Sequence, residues 1–574
     1  SLATLMGVDD YRDQEQYILD HTLIRRIETS HFDVDSVSWN QRFPTESNGH
    51  PVTFDIASKH LPAVIPPDWT VRPTSDTHVN VQIRGQQDFL LPTHREFEVK
   101  AAGQLPTGFD PGKLYPSRSH PRGLQMTVYA ASDALGSIGV DWETIRRHVH
   151  VDQVSVYAGS AMGQLDGAGA GGMIKARYNG QRVTSKYCPL SMAEMPADFI
   201  NAYVLGSLGS TGASLGACAS FLYNLRLGID DIRSGRSRVV FVGSAEAPIN
   251  PEVMEGYGAM GALATDRELR QLDGIDATRE PDHRRACRPF ANNCGFTIAE
   301  SAQMVVLFDD ELAMQLGATV FGAAPTVFVN ADGHKKSISG PGVGNYITLA
   351  KALASARAVV GERALRSGGL LQAHGTGTPQ NRTTESEILS RTAQAFGIES
   401  WPVAALKCYV GHSLGSASGD QLNATLGIWG HGVIPGITTI DEIAADVRTE
   451  NLAFSSGHRE LDPEQQHYAI INSKGFGGNN ASATLLSPAV TRRMLQSRYS
   501  AEEWKAWERA NETVREQQQA YDDDMIAGRL APVYKFDHGV LLDGDVELNP
   551  HRITLGGQTV ELDLVSPYDD MNPG

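Results

Sequence analysis

The chain has 574 residues, 41% hydrophobic and 20% charged, with a mean hydropathy of -0.26; at about 150 residues per domain this length suggests three to four domains. Acidic residues outnumber basic ones 67 to 49, for a formal charge of -18, which argues against nucleic acid as the main partner and against unaided adhesion to an anionic membrane, since both require a basic surface. Five widely spaced cysteines (Cys188, Cys218, Cys287, Cys294 and Cys408) with no CxxC pair argue against a disulfide framework or a zinc site and for a reducing, cytoplasmic setting.

The opening residues, SLATLMGVDDYRDQEQ, lack the basic-then-apolar design of a signal peptide, and without an initiator Met the chain reads as trimmed at its front. No run approaches the roughly 18 apolar residues of a membrane span. Residues 1–84 mix acidic helix-like pieces with the Pro-rich loop LPAVIPPDWTVRP and carry no catalytic pattern; they read as an N-terminal extension. From 85 the texture changes. The runs VSVYAGS, RVVFVGSAEA, SAQMVVLF, GLLQAHG, WPVAALK and HYAIINS alternate with helix-length amphipathic stretches, the pattern of an α/β fold with buried strands. This continues to 487 without a low-complexity linker, as one large double-lobed domain. Residues 488–574 then read as a tail: a charge-dense helix, AEEWKAWERANETVREQQQAYDDD, followed by short β-like pieces.

Within the α/β region, Cys218 follows the small-residue loop GSTGASLGA. It precedes a predicted helix whose apolar positions Leu222, Leu225, Ile229 and Ile232 recur at helical spacing, with Gly235 as its end. A cysteine at a helix N-terminus is expected to have a lowered pKa and to act as a nucleophile, although most free cysteines are inert core residues. His374 follows the buried strand GLLQA and opens a Gly-Thr loop; Thr376 and Thr378 offer hydroxyls there, ahead of a helix predicted to begin near Thr383. Strand ends of this kind carry sites in open α/β sheets, but a loop histidine with capping threonines fits the same pattern. The predicted strand VAALKCYV leads to Gly411-His412 and another helix. Lys407 inside that apolar run needs a partner, for which Glu385 is a candidate; a solvent-facing lysine is the plainer alternative. INSKGFGGNNASATLL reads as strand, glycine hinge and strand, either a ligand-approach loop or an ordinary hairpin.

Five blocks stand in a fixed order: GACAS around Cys218, RPF at Arg288 to Phe290, AHGTGTP from Ala373, KCYVGHSLGSASG from Lys407 and NSKGFGGNNA from Asn472. In that order the sequence resembles the β-ketoacyl synthases, the condensing enzymes of fatty-acid and polyketide synthesis. The front pieces LIRRIE, AGQLPTGF and SRSHPRGLQM make it most similar to the FabY-type bacterial members that initiate fatty-acid synthesis. The resemblance implies the thiolase fold: two similar α/β halves, 85–310 and 311–487, with helices between two mixed sheets, usually as a homodimer. It implies a decarboxylative Claisen condensation of a malonyl-acyl carrier protein with an acyl primer on Cys218, the primer being acetyl from acetyl-CoA. By the same resemblance His374 and His412 complete the catalytic set, and the backbone N–H groups of Cys218 and Phe476 form the oxyanion hole. Lys407 and Glu385 support the site electrostatically, and Thr376 and Thr378 contact the phosphopantetheine arm. Lys175, Arg177, Arg182 and Lys186 lie where relatives dock the carrier protein, and no metal or redox cofactor is implied.

Two departures stand out. Lys474 occupies a position where many relatives have Phe, and Asn381-Arg382 one where many have Gly-Asp. Arg382 could form a bidentate pair with Glu385 and compete with Lys407. The FabY-type members share both departures. Among the alternatives, a thiolase would add a second catalytic cysteine in a CxG context, and none follows Cys408. A non-catalytic synthase-like partner would lose the nucleophile, and a papain-like hydrolase would carry a different signature around its cysteine. An elongating or polyketide-type synthase using acyl-carrier primers remains the alternative to initiation.

Overall fold

The computed structural model describes residues 1–46, 49–338, 340–529, 531–566 and 568–571. Its buried β-branched runs assemble into two mixed sheets. The first contains β1 (Val154–Gly159), β2 (Thr211–Gly212), β3 (Val239–Glu246) and β4 (Ser301–Phe308) in the order β4-β3-β1-β2. All eight residues of β3 are buried; β3 runs parallel to β1 and antiparallel to β4, with Val239 opposite both Val154 and Phe308. The second contains β5 (Ala323–Asn330), β6 (Gly369–Gln372), β7 (Trp401–Ala404), β8 (Leu452–Ala453), β9 (Tyr468–Gly475) and β10 (Asn479–Leu486) in the order β5-β10-β9-β6-β7-β8. There β6 runs parallel to β7 and β9, while β9 and β10 form an antiparallel hairpin.

The helices that matter for the site are α1 (Arg122–Ser137), α2 (Ser220–Ser234), α3 (Gly344–Ser367), α4 (Pro379–Ala395), α5 (Lys407–Val410), α6 (Ala417–His431) and α7 (Ala501–Ile526). One core joins Phe221, Leu222 and Leu225 of α2 and Leu422, Ile428 and Trp429 of α6 to Val240 and Val242 of the first sheet. The same core reaches Leu370, Ile471 and Ala481 of the second sheet. Helices α2 and α6 therefore lie between the sheets, and each large apolar side chain buried there contributes about 1.5–3 kcal/mol. A second core packs α1 on the first sheet, and a third packs α3 and α4 on the second. This is the layering of the thiolase fold. α2 ends as expected, at Gly235 in the left-handed conformation.

Two predicted boundaries shift. The strand leading to Lys407 ends at Ala404, because Lys407 already begins the short α5. Helix α4 begins at Pro379 rather than near Thr383, since Thr378 caps it and a proline is well suited to the first turn.

The chain divides into two units, residues 1–27 with 99–574, and residues 28–98. The smaller unit pairs Val37–Glu46 with Gln86–Arg95, and forms a three-stranded sheet from Val52–Ala57, His78–Ile83 and Trp69–Pro73 around Val79, Val81 and Ile83. The expected boundary at 84 thus falls inside this unit, because the partner strand of 37–46 is 86–95. In the larger unit, Ile24–Arg26 pairs with Ala101–Gly103. In the tail, α7 anchors through Trp507, whose indole N–H donates to Ala318. The strands Val546–Asn549, Arg552–Leu555 and Gln558–Glu561 form a small sheet of their own. No helix among the described residues is long and apolar enough to cross a membrane.

Candidate active site

A cavity of about 260 Å³ is lined by Cys218, His374, His412, Thr376, Thr378, Lys474 and Phe476 together. Four elements deliver them. Cys218 sits two residues before α2, on an elbow in which Ala217 adopts a left-handed φ of 49°, a strained setting characteristic of functional turns. His374 lies beyond the carboxyl end of β6, His412 beyond α5, and Phe476 in the turn of the β9-β10 hairpin. That hairpin presses on the elbow: a Cβ on Gly475 would stand 2.1 Å from the Gly216 carbonyl oxygen, so only glycine permits the approach. Ser473 donates to the Cys218 carbonyl at 3.1 Å. The Cys218 sulfur is reached by the backbone N–H groups of Phe476 and of Cys218 itself.

The expectation of a lowered thiol pKa fails. Burial pushes the Cys218 thiol up to about 11, against the opposing effects of Lys407 and the two N–H groups. The helix end loses because desolvation of a thiolate outweighs a dipole whose first turn begins two residues later. His374 and His412 are buried with ring centroids 5.4 Å apart and planes near perpendicular. Burial, with Lys407 added, holds both well below the usual histidine value, so both imidazoles are neutral at pH 7.

The expected partnership around Glu385 is replaced by a different one. Arg382 does not pair with Glu385; it forms a bidentate pair with Asp446, both bonds 2.9 Å. Asn381 takes the place, donating to Glu385 at 2.8 Å, and Asn472 donates at 3.0 Å. The other two donors to this carboxylate are the backbone N–H groups of His374 and Gly375, at 2.6 and 2.8 Å. Lys407 makes no ion pair with Glu385 among the described residues; it donates to the His374 carbonyl at 2.7 Å. Glu385 and Lys407 therefore hold opposite ends of the His374 residue, one its N–H and the other its C=O. Burial lowers the Lys407 pKa, and Glu385 offsets this.

Thr376 and Thr378 share a 3.0 Å hydroxyl contact, and the Thr378 hydroxyl caps α4 while its side chain lines the cavity. Lys175, Arg177, Arg182 and Lys186 are exposed on one segment. Lys175 is neutralised by Glu252 at 2.5 Å, while Lys186 reaches Ser119. Sequence reasoning missed Glu246, Tyr257 and Met162. Glu246 is a fully buried carboxylate accepting from Ala161, Ser160 and Met162, pushed up to about 7 by burial. Its signal was a charged residue in the apolar run RVVFVGSAEA. Tyr257 and Met162 line the cavity and touch, hydroxyl to sulfur, at 3.3 Å; nothing in their spacing, about a hundred residues apart, announces that contact.

Comparison with known proteins places the chain in a family. Residues 118–313 match the β-ketoacyl synthase N-terminal domain and residues 325–441 the C-terminal domain. The chain is 50% identical over 550 residues to the β-ketoacyl-[acyl-carrier-protein] synthase FabY of Pseudomonas aeruginosa, covering 96% of this chain and 86% of that protein. It is 27% identical to the 3-oxoacyl-[acyl-carrier-protein] synthase 2 of Vibrio harveyi over 62% of this chain and 80% of that one. The crystal structure of P. aeruginosa FabY superposes with a TM-score of 0.97 at 47% identity, covering 100% of this chain and 92% of that chain. A ketosynthase solved with its type II polyketide acyl-carrier protein shares the fold, with a TM-score of 0.56 at 19% identity over 68% of this chain and 88% of that one.

Proposed function

The chain belongs to the β-ketoacyl synthase family and is a condensing acyltransferase, and from that premise we propose that it joins an acetyl group from acetyl-CoA to a malonyl-acyl carrier protein, initiating a fatty-acid chain. The observation that carries this reading is one cavity uniting a cysteine, two backbone N–H groups aimed at its sulfur and two neutral imidazoles. The Cys218 sulfur attacks the thioester carbonyl, its proton leaves through a neutral imidazole to the departing CoA thiol, and the N–H groups of Cys218 and Phe476 stabilise the oxyanion. The malonyl thioester then enters along Thr376 and Thr378. Its bond to the carboxylate breaks, CO₂ departs, and the electron pair becomes an enolate under the N–H donors of His374 and His412. The enolate carbon attacks the acetyl-Cys carbonyl, the C–S bond breaks, and Cys218 takes up a proton. Neutral histidines suit this task, since they donate a hydrogen bond without handing the enolate a full proton.

Met162, Tyr257, Met260 and Phe296 line the cavity with Cys218, and the Tyr257 hydroxyl touches the Met162 sulfur; these bulky side chains around the cysteine support an acetyl primer over a long acyl chain. The carrier protein, itself acidic, would dock on the exposed segment of Lys175, Arg177, Arg182 and Lys186 despite the overall -18. Among the described residues the outer edge of β2 pairs with no further strand and suits a homodimer contact; a cytoplasmic setting completes the proposal.

The test is the intact mass after incubation with acetyl-CoA. We expect an acetyl adduct on the native protein, none on Cys218→Ala, and no condensation by that variant. Acylation by long acyl-carrier primers alone would overturn initiation, and condensation by Cys218→Ala would overturn the nucleophile.

A further inference from the structure

Lys474, the penultimate residue of β9, lines the cavity that holds Cys218 and both histidines. Its contacts are unusual for a lysine so enclosed. The Nζ atom reaches only neutral acceptors, the Thr384 hydroxyl at 3.1 Å and the Asn381 side-chain oxygen at 3.4 Å. Among the described residues it makes no ion pair. The two carboxylates facing it are committed elsewhere: Glu385 to its four donors, and Asp332 to Asn480, the Gly344 N–H and Lys335. The cavity thus carries a cation without a contacting anion, which is costly in the empty protein and favourable only once an anion enters.

The condensation brings one anionic group to the reacting end of a substrate, the carboxylate of the malonyl thioester; the acetyl primer has none. We infer that Lys474 is the binding residue for the malonyl carboxylate, selecting the extender unit over uncharged acyl thioesters. The inference rests on the condensation proposed above. Its physical character is specific. In the ground state the negative charge sits on the carboxylate beside Lys474; as the C–C bond breaks it moves to the enolate oxygen under His374 and His412. Lys474 therefore strengthens binding of the ground state, and its loss should raise KM without lowering kcat.

The experiment compares native protein with Lys474→Met and Lys474→Gln, using acetyl-CoA and malonyl-carrier protein, with thermal melts to confirm folding. The expected result is a KM for malonyl-carrier protein raised about tenfold to hundredfold, the cost of one charge-assisted hydrogen bond. The KM for acetyl-CoA should move by less than about threefold, kcat should hold or rise but not fall, and Lys474→Arg should recover part of the loss in KM. A non-decarboxylating malonyl thioester analogue should inhibit the native protein better than its uncharged amide, and the Met variant should lose that preference. Three results would overturn the inference. A KM raised equally for both substrates would place Lys474 on the shared phosphopantetheine arm. A fall in kcat at unchanged KM would assign it to the histidines. An analogue preference that survives Lys474→Met would remove the carboxylate contact. Failure of the native protein to condense at all would instead refute the underlying reaction, a separable outcome.

Discussion

At Cys218 two influences oppose each other. The N–H groups of Phe476 and Cys218 and the charge of Lys407 favour the thiolate; enclosure favours the thiol and prevails, pushing the group up to about 11. At pH 7 the thiolate fraction is then only about 10⁻⁴, so reactivity depends on proton removal during attack rather than on a standing thiolate. This sets the sign of the pH dependence. Alkylation of Cys218 by iodoacetamide, followed by peptide mapping to separate it from the exposed Cys188, should rise about tenfold per pH unit from pH 7 to 10. A plateau near pH 8 would show instead that the helix end controls the thiol. At this scale the sequence made the reactive residue types legible but not their partners. Arg382, three positions before Glu385, looked like its natural ion-pair partner, yet the residue four positions before, Asn381, reaches it, while Arg382 reaches Asp446. On a helix both spacings lie on one face, and only the surrounding loops decide which side chain turns inward.

The β9-β10 hairpin shows how one element converts a glycine run into chemistry. In the sequence, GFGG reads equally well as a tight turn or as a ligand loop. In the structure it is a tight hairpin turn: the register pairs Gly475 with Asn479, and the turn between them carries the Phe476 N–H to the Cys218 sulfur. What the sequence could not display is the contact with Gly216, some 260 residues away, because close backbone approach leaves no side-chain signature. Gly475→Ala tests the point. The added Cβ meets a backbone oxygen, which cannot rotate aside, so hairpin and elbow must separate. Loss of one oxyanion donor costs about 10²–10³ in rate. We expect the burst of Cys218 acetylation, followed by mass, to slow by an amount of that order while the circular dichroism spectrum is preserved. Acetylation within about threefold of native would show that the Phe476 amide does not stabilise this step. The strands themselves were readable from their β-branched runs, whereas their ends were not. Lys407 falls in a helix turn because the chain must bend there to bring the lysine under His374.

At the scale of the whole molecule, length alone suggested three to four domains, whereas contacts divide the chain into two units, one interrupted by the other. The layered core was legible as alternating strands and helices. The excursion was not, because its strands pair with each other and leave no break in composition where the chain departs and returns. Its geometry of departure is informative. Ile24–Arg26 and Ala101–Gly103 pair antiparallel in the larger unit, and the Ile27 N–H donates to Lys100 at 2.8 Å, so the chain leaves and re-enters at adjacent points. The smaller unit has its own core of Val79, Val81 and Ile83. Adjacent ends with separate cores are the conditions under which an inserted segment can be removed without unfolding its host. Replacing residues 28–98 by a short Gly/Ser linker closes a short loop at little entropic cost. Every residue shown above to line the cavity lies in the larger unit. The shortened protein should therefore melt cooperatively and acetylate Cys218 within about threefold of the native rate. A collapse of the melting transition would make the excursion part of the folding core. A stable protein with lost acetylation would give residues 28–98 a role in the primer step that the cavity geometry does not contain.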